Sequence, residues 1–359
     1  MCKSGLRLSA QRHDPVVATS HRLFCKGARG VAPIAVPWTG LSSQSYSSPL
    51  NLEYETVHFA RVFVALRLCR KPQQSHWYLP RGAGNIRPNT YHRLRARMSF
   101  TLATWNINSV RLREPIVVKL LEEEGPDVLC LQECKSPVDK IPMEAFRALG
   151  YEHMIARGQK GYNGVAILSR LPIEDVGDKD FASLGHARHV AGRLENGVTI
   201  HNFYVPAGGD EPDREKNVKF GQKLDYLTEM RDWFHAERPE KSVLVGDLNI
   251  APREDDVWDH KKLLKVVSHT PIEVEHLDQV MDAGGWADVT RKDIPEGQLY
   301  SWWSYRAKDW DAADKGRRLD HVWTTADITN AAHSSRILRH ARGWEKPSDH
   351  APVFATFDL

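Results

Sequence analysis

From residue 98 to residue 359 the chain repeats one local pattern, a short apolar run that ends in a polar cluster. Residues 101–105 lead into Asn106 and Asn108, and residues 127–132 lead into Glu133. Residues 164–169 and 198–205 follow, the second ending at Pro206-Ala207-Gly208-Gly209. Residues 242–245 lead into Gly246-Asp247-Leu248-Asn249. Residues 319–324 carry Asp320 near their start, and residues 352–357 are preceded by Ser348-Asp349-His350. These lengths and their β-branched content predict buried strands. Helical signals lie between them. Residues 111–124 stop at Gly125-Pro126. In residues 215–235, Phe220, Leu224, Leu227, Met230 and Phe234 form one apolar face, expected to pack into the core. Strands interleaved with helices predict an α/β fold with layered sheets.

The formal charge of +3 conceals two unlike parts. Residues 1–97 hold 15 Lys+Arg against 3 Asp+Glu, and residues 98–359 hold 34 against 43. The two parts are therefore read separately, as a basic N-terminal extension and a core long enough for one sizeable domain. The extension has a Ser-rich patch at 42–48 and no sustained periodicity. Three readings of it stay open: a start assigned upstream of a true first residue at Met98, a disordered basic tail, or an organellar targeting peptide. At 41% apolar and 26% charged residues, the composition argues against wholesale disorder and against a membrane protein. No run reaches the roughly 18 apolar residues of a membrane-spanning helix. The five cysteines, Cys2, Cys25, Cys69, Cys130 and Cys134, make no disulfide framework and predict a reducing, cytoplasmic setting. Cys130 and Cys134 are expected to be buried small hydrophobes.

The candidate chemistry sits at strand ends. Asn106/Asn108 and Asp247/Asn249 are i, i+2 pairs, which extended backbone points to one face. Glu133 follows one strand, and Asp349-His350 opens the last. Carboxylates, amides and an imidazole from four strand ends can thus converge on one pocket. Hard oxygen donors with one or two histidines suit Mg²⁺, with Mn²⁺ as the alternative, better than zinc. There is no paired CxxC or HExxH motif, no phosphate-binding Gly-rich loop ending in Lys-Ser/Thr, and no GxSxG elbow. Taken singly, each group also has a structural reading as a turn, a cap or a core histidine.

Six segments in this order carry a family resemblance. They are Trp105-Asn106-Ile107-Asn108-Ser109-Val110-Arg111, Leu131-Gln132-Glu133-Cys134-Lys135, Asn202-Phe203-Tyr204-Val205-Pro206, Gly246-Asp247-Leu248-Asn249-Ile250-Ala251-Pro252, Gly316-Arg317-Arg318-Leu319-Asp320-His321 and Ser348-Asp349-His350. Residues 98–359 resemble the exonuclease III-type apurinic/apyrimidinic endonucleases of the endonuclease/exonuclease/phosphatase superfamily. Residues 1–97 do not. The resemblance implies a four-layered α/β sandwich of the DNase I-like kind, two packed mixed β-sheets flanked by helices. It implies a divalent metal held by Asn106 and Glu133 with Asn249 nearby and Asp349 supporting that side, Asp247 and His350 completing the candidate ligand set. Asp247 would position or deprotonate the attacking water. His350, oriented by Asp320, would stabilise the charged phosphorane-like oxygen, and Tyr204 would contact the scissile phosphate.

The expected activity is hydrolysis of the phosphodiester 5′ to an abasic site, with 3′→5′ exodeoxyribonuclease and 3′-phosphatase activities. The expected partner is double-stranded DNA with abasic or 3′-blocked sites, bound by a monomer in the cytoplasm in association with the nucleoid. Lys135 and the Arg317-to-His321 stretch favour this branch over phosphoesterases of the same fold acting on lipid, inositol or RNA, and retention of the whole polar set argues against a silent binding module. Three departures stand out: Ala207 where relatives often carry an amide, Asn108 where some have Asp, and Arg317 where certain relatives have an aromatic. The acidic core is unusual for a DNA-binding protein. Clustering of Arg111, Arg113, Lys135, Arg188, Lys261, Lys262, Arg306, Lys315, Arg317 and Arg318, interleaved with Trp302, Trp303, Tyr305 and Trp310, would offset it locally.

Overall fold

The structure is a computed structural model, and it describes residues 99–359. The expectations for the basic extension fall outside the described residues. In chain order the strands are β1 (Ser99–Asn106), β2 (Val128–Gln132), β3 (His153–Arg157), β4 (Val165–Ser169), β5 (Ile173–Gly177), β6 (His189–Leu194), β7 (Thr199–Tyr204), β8 (Ser242–Asp247), β9 (Trp286–Asp288), β10 (Trp302–Trp303), β11 (Gly316–Arg317), β12 (Asp320–Thr325), β13 (Ala332–Ile337) and β14 (Val353–Asp358). The helices are α1 (Glu114–Glu123), α2 (Met143–Arg147), α3 (Val218–Glu237), α4 (His260–Leu263), α5 (Pro271–Gly284), α6 (Val289–Asp293) and α7 (Trp310–Ala313). Among the described residues no helix is long and apolar enough to cross a membrane.

One six-stranded sheet runs β13-β14-β1-β2-β4-β3, and a second runs β5-β6-β7-β8-β12-β9. Both are mixed. β1 pairs parallel with β2 and β7 pairs parallel with β8, while the other neighbours are antiparallel. The inner faces share one apolar core, with Leu102, Val128, Ile155 and Ile167 from the first sheet and Val190, Ile200, Val243 and Val322 from the second. Outside the first sheet, Leu129, Leu131 and Leu168 pack with Val117, Leu120 and Phe146 of α1 and α2. Outside the second, Phe203, Leu244 and Trp323 pack with Leu227, Met230, Phe234, Leu277 and Val280 of α3 and α5. The result is the expected four-layered α/β sandwich. The apolar face read in residues 215–235 is buried as expected, and Asn217 caps α3 by accepting from the Lys219 amide. Cys130 and Cys134 are buried free thiols.

Strand direction sets where function can gather. The parallel pairs bring the C-terminal ends of β1 and β2, and of β7 and β8, to one edge. β12 runs antiparallel to β8 and β14 antiparallel to β1, so their first residues reach the same edge. Under that edge a polar ladder joins the sheets: Gln132 Nε2 donates to Thr104 Oγ1 and to Asn202 Oδ1, and Asn202 Nδ2 donates to the carbonyls of Leu131 and Ala166. A buried polar ladder with its donors paired fixes the register of two otherwise slippery apolar faces.

Candidate active site at one edge of the sandwich

Tyr204, Asp247 and Asp320 are aligned in register across β7, β8 and β12, so their side chains share a face. Gly246 permits this close packing. Its φ is +136°, and a Cβ there would fall 1.9 Å from the Phe203 carbonyl oxygen, so only glycine fits before Asp247. From the other sheet, Asn106 Nδ2 donates to Asp247 Oδ2 at 2.8 Å and to Glu133 Oε1 at 2.9 Å. Asn249 adds a main-chain donor to Asp247 Oδ1 at 2.9 Å and its amide to Oδ2 at 3.1 Å. His350 contributes its Nδ1 to Asp320 Oδ2 at 2.8 Å and places Nε2 3.7 Å from Asp247 Oδ2. Asn106, Asp247, Asp320 and His350 are all buried. Beyond the strand ends the chain turns through backbone geometry that L-residues rarely adopt: Asn108, Ser109, Glu133, Lys135 and Asn249 all have positive φ. Such left-handed residues cost roughly 1–3 kcal/mol each and persist where surrounding contacts over-determine them.

A second tier holds these groups. Asp349 accepts from Asn108 Nδ2 at 3.1 Å and from Trp302 Nε1 at 3.0 Å. Lys135 Nζ bridges Glu133 Oε2 at 2.7 Å and Asn108 Oδ1 at 2.6 Å. Ser348 Oγ donates to the Asn106 carbonyl at 2.6 Å, and Trp105 Nε1 donates to the His350 carbonyl at 2.9 Å. Segment 301–303 pairs with 349–351 through Trp303 N to Asp349 O and Ala351 N to Ser301 O. The supporting roles of Trp302, Ser348 and Trp105 have no signal in the sequence, because no local spacing connects residues more than 40 positions apart.

The electrostatics follow from burial. Burial raises the Asp247 carboxyl, and the neighbouring Asp320 and Glu133 charges add to that against the pull of His350. Burial opposes charge on His350 as well, but the Asp320 and then the Asp247 carboxylates prevail and raise it, favouring the imidazolium. Burial would also raise Glu133, yet the Lys135 ammonium lowers it. Asp349 is lowered despite burial by the His350 charge and by its Trp302 and Asn108 donors. Burial, with Glu133 and Asp247 beside it, raises the Tyr204 phenol well above its ordinary value, so it stays a donor. Four carboxylates thus face two cationic groups, Lys135 and His350. Asp320 Oδ1 is buried with no hydrogen-bond partner. An excess of hard, buried oxygen donors is the chemistry a divalent cation satisfies; atoms of Asp247, Asp320 and His350 lie within 4.8 Å of one another, but both His350 nitrogens are directed at the two aspartates, so the oxygens of Glu133, Asn106 and Asp349 beside them are the donors left for an ion. The oxygen-rich set fits such an ion.

From Glu133 and Tyr204 a groove of about 450 Å³ opens past Lys135, His186, Arg188 and Lys219. Arg188 stacks on the Tyr204 ring at 4.6 Å and donates to the Tyr204 carbonyl. Tyr162 stands exposed on its rim. Arg317 lies over Trp302 at 5.2 Å and donates to Val267 O and Ser268 Oγ. Two members of the anticipated basic and aromatic surface are not surface. Arg318 is fully buried, paired with Asp256 at 2.7 Å and Asp288 at 2.7 Å, and Trp303 is buried beside Tyr300. Nothing in the alternation of charges distinguishes a buried, paired arginine from a solvated one.

Comparison with known proteins agrees with this architecture. A sequence profile of the endonuclease/exonuclease/phosphatase family matches residues 103–350. The exodeoxyribonuclease III of Haemophilus influenzae is 28% identical over 267 residues, covering 71% of this chain and 98% of that protein. A 3′ phosphatase from Neisseria, solved bound to product DNA hairpin, is 34% identical with a TM-score of 0.67, covering 72% of this chain and all of the other. An AP endonuclease from Archaeoglobus fulgidus is 31% identical with a TM-score of 0.68 over the same shares. With the same fold, the matched segment spanning both sheets and the ordered strand-end residues, the chain belongs to the endonuclease/exonuclease/phosphatase family, in its exonuclease III-type group of nucleases.

Proposed function

We propose that the protein is a divalent-metal-dependent DNA-repair nuclease that cuts the phosphodiester 5′ to an abasic site and clears 3′-blocked ends, as a cytoplasmic monomer acting on nucleoid DNA. The observation that carries this reading is the convergence of Asn106, Glu133, Tyr204, Asp247, Asn249, Asp320, Asp349 and His350 on one edge, with a cationic groove beside it. Glu133, Asn106 and Asp349 would hold Mg²⁺ (Mn²⁺ is the alternative), and the bound ion supplies Lewis-acid polarisation of the phosphate. Asp247, its oxygens fixed by Asn106 and Asn249, takes a proton from the attacking water, and its raised affinity for protons suits a general base near neutral pH. The P–O3′ bond opposite the incoming oxygen breaks, and the departing O3′ takes its proton from solvent water. His350, held as a cation by Asp320, faces the charge that develops on the phosphorane oxygens, where a preorganised donor out of water is most effective. Its ring nitrogens both face carboxylates, which fits this role better than metal ligation. Tyr204 donates its phenolic hydrogen to a phosphate oxygen. The Neisseria 3′ phosphatase and the archaeal AP endonuclease support both substrate classes.

The test is a substrate panel with the full chain and Mg²⁺: a duplex with one synthetic abasic site, a duplex with a 3′-phosphate, an intact duplex and an inositol phosphate. A single cut 5′ to the lesion and release of the 3′-phosphate are expected. Turnover of the inositol phosphate without cleavage of any duplex would move the protein to another branch of the fold.

A further inference from the structure

Directly beneath the strand ends lies a buried ion pair to which the proposed chemistry gives no task. Lys223 of α3 and Glu273 of α5 meet at 2.5 Å, and neither side chain is reached by solvent. An ammonium has three protons to place. Those of Lys223 face Glu273 Oε1, the main-chain carbonyl of Asn249 at 2.8 Å and, more weakly, that of Ala207 at 3.5 Å. Ala207 follows β7, and Asn249 follows β8. One cation therefore touches both loops whose strands end at Tyr204 and Asp247. Its anchor is itself immobilised, since Glu273 accepts from the amides of Ser268 and Thr270 and from Thr270 Oγ1.

A buried ion pair is a poor device for stability alone, because the desolvation of two charges offsets most of their attraction and an apolar pair of equal volume often serves as well. An apolar pair cannot donate to two main-chain carbonyls from one point. Asn249 needs such a restraint. Its φ is 55°, in the left-handed region that non-glycine residues avoid, and from that conformation its amide reaches Val205 O at 2.9 Å and Asp247 Oδ2 at 3.1 Å while its N–H reaches Asp247 Oδ1. If the turn relaxed, Asp247 would lose two of its donors together.

We propose that Lys223, held by Glu273, is a positioning residue that fixes the left-handed turn at Asn249 and thereby aims the Asp247 carboxylate. This rests on the nuclease reading for its catalytic consequence, and on the geometry alone for its structural one. The test compares the full-length wild type with Lys223→Met/Glu273→Gln, which removes both charges, strands no buried ion and leaves an acceptor for the Ser268 and Thr270 amides. Melting temperature, kcat and KM on the abasic duplex, and the side-chain amide resonance of Asn249 are measured for both. We expect near-native melting, KM within about threefold, kcat lower by about 10- to 100-fold, and a shifted or broadened Asn249 amide. Should the double variant not fold, Lys223→Arg, which keeps a cation opposite Glu273 but displaces the donor to the Asn249 carbonyl, is scored the same way. Lower melting with unchanged kcat and an unchanged amide overturns the proposal and assigns the pair to the fold alone. If the wild type cleaves no duplex, the nuclease reading fails, and the amide resonance still decides whether Lys223 holds Asn249.

Discussion

His350 shares its Nδ1 hydrogen with Asp320 Oδ2 across 2.8 Å, and both residues are buried where β12 and β14 begin. The pair joins the two sheets: Asp320 stands opposite Asp247 in the second, while His350 precedes the strand that pairs with β1 in the first. Neither residue alone is a charged donor. The carboxylate creates the imidazolium, and the sandwich brings the two together.

Replacing Asp320 with Asn keeps the shape and removes the largest of the charges that, with Asp247, raise His350 to about 10. The imidazole then loses its proton at lower pH. We expect kcat on an abasic duplex to fall by roughly 10²–10³, about 2.7–4 kcal/mol of transition-state stabilisation by analogy with loss of an oxyanion donor, and the alkaline limb of the pH–rate profile to move to lower pH. A single-turnover pH series on both proteins checks this, and an unmoved alkaline limb would detach Asp320 from the charge on His350.

Stability should fall in mild acid for a reason remote from the site. His201 is buried and lowered by desolvation to about 4, and His189, stacked against it, is lowered well below its ordinary value by desolvation and by His201. The unfolded chain takes up these protons below about 6.5 and the folded chain does not. This contribution is therefore fully present above pH 6.5 and is lost as pH falls towards 4, about 3 kcal/mol for His201. Denaturant melts of the wild type and His201→Asn across that interval should show a shallower decline in the variant.

The basic residues separate into two kinds. Arg318→Met leaves Asp256 and Asp288 short of a buried partner and should cost about 3–5 kcal/mol of stability with no change in the salt dependence of DNA binding. Lys219→Ala, at an exposed position on the groove beside Tyr204, should leave stability within about 0.5 kcal/mol and lower the slope of log K against log salt by about 1. Binding isotherms at several salt concentrations, beside melting curves, separate the two.

The strands that frame the site were legible because their local signal is strong. Residues 101–105, 127–132 and 242–245 are apolar and β-branched, and β1, β2 and β8 are buried along almost their whole length. The edge strands were not. β5 reads Ile-Glu-Asp-Val-Gly, largely solvated, and β13 carries a register shift between His333 and Arg336, so neither presents a buried run. The start of α5 does carry a local signal, a capping box formed by Thr270 and Glu273 on either side of Pro271. Within the site, the i, i+2 spacing points to Asn106, Asn108, Asp247 and Asn249, but not through extended backbone: β1 ends at Asn106 and β8 at Asp247, and Asn108 and Asn249 reach the site from left-handed turns. Glu133 and His350 are legible at strand ends, whereas the role of Asp320 is legible only in the order of motifs. The tasks of Trp302, Ser348 and Lys223 exist only in the folded chain, since their partners lie 47, 242 and 26 residues away.

The proposed nuclease depends on a divalent cation held at Glu133. The most direct measurement strips the full-length protein with EDTA and follows cleavage of a duplex with one abasic site as Mg²⁺ is returned, for the wild type and for Glu133→Gln. No cleavage is expected in EDTA, with saturable recovery in the wild type and, in Glu133→Gln, a recovery that needs much higher Mg²⁺ and stays far slower at saturation. Cleavage that persists in EDTA, or superimposable Mg²⁺ titrations for the two proteins, would contradict that dependence.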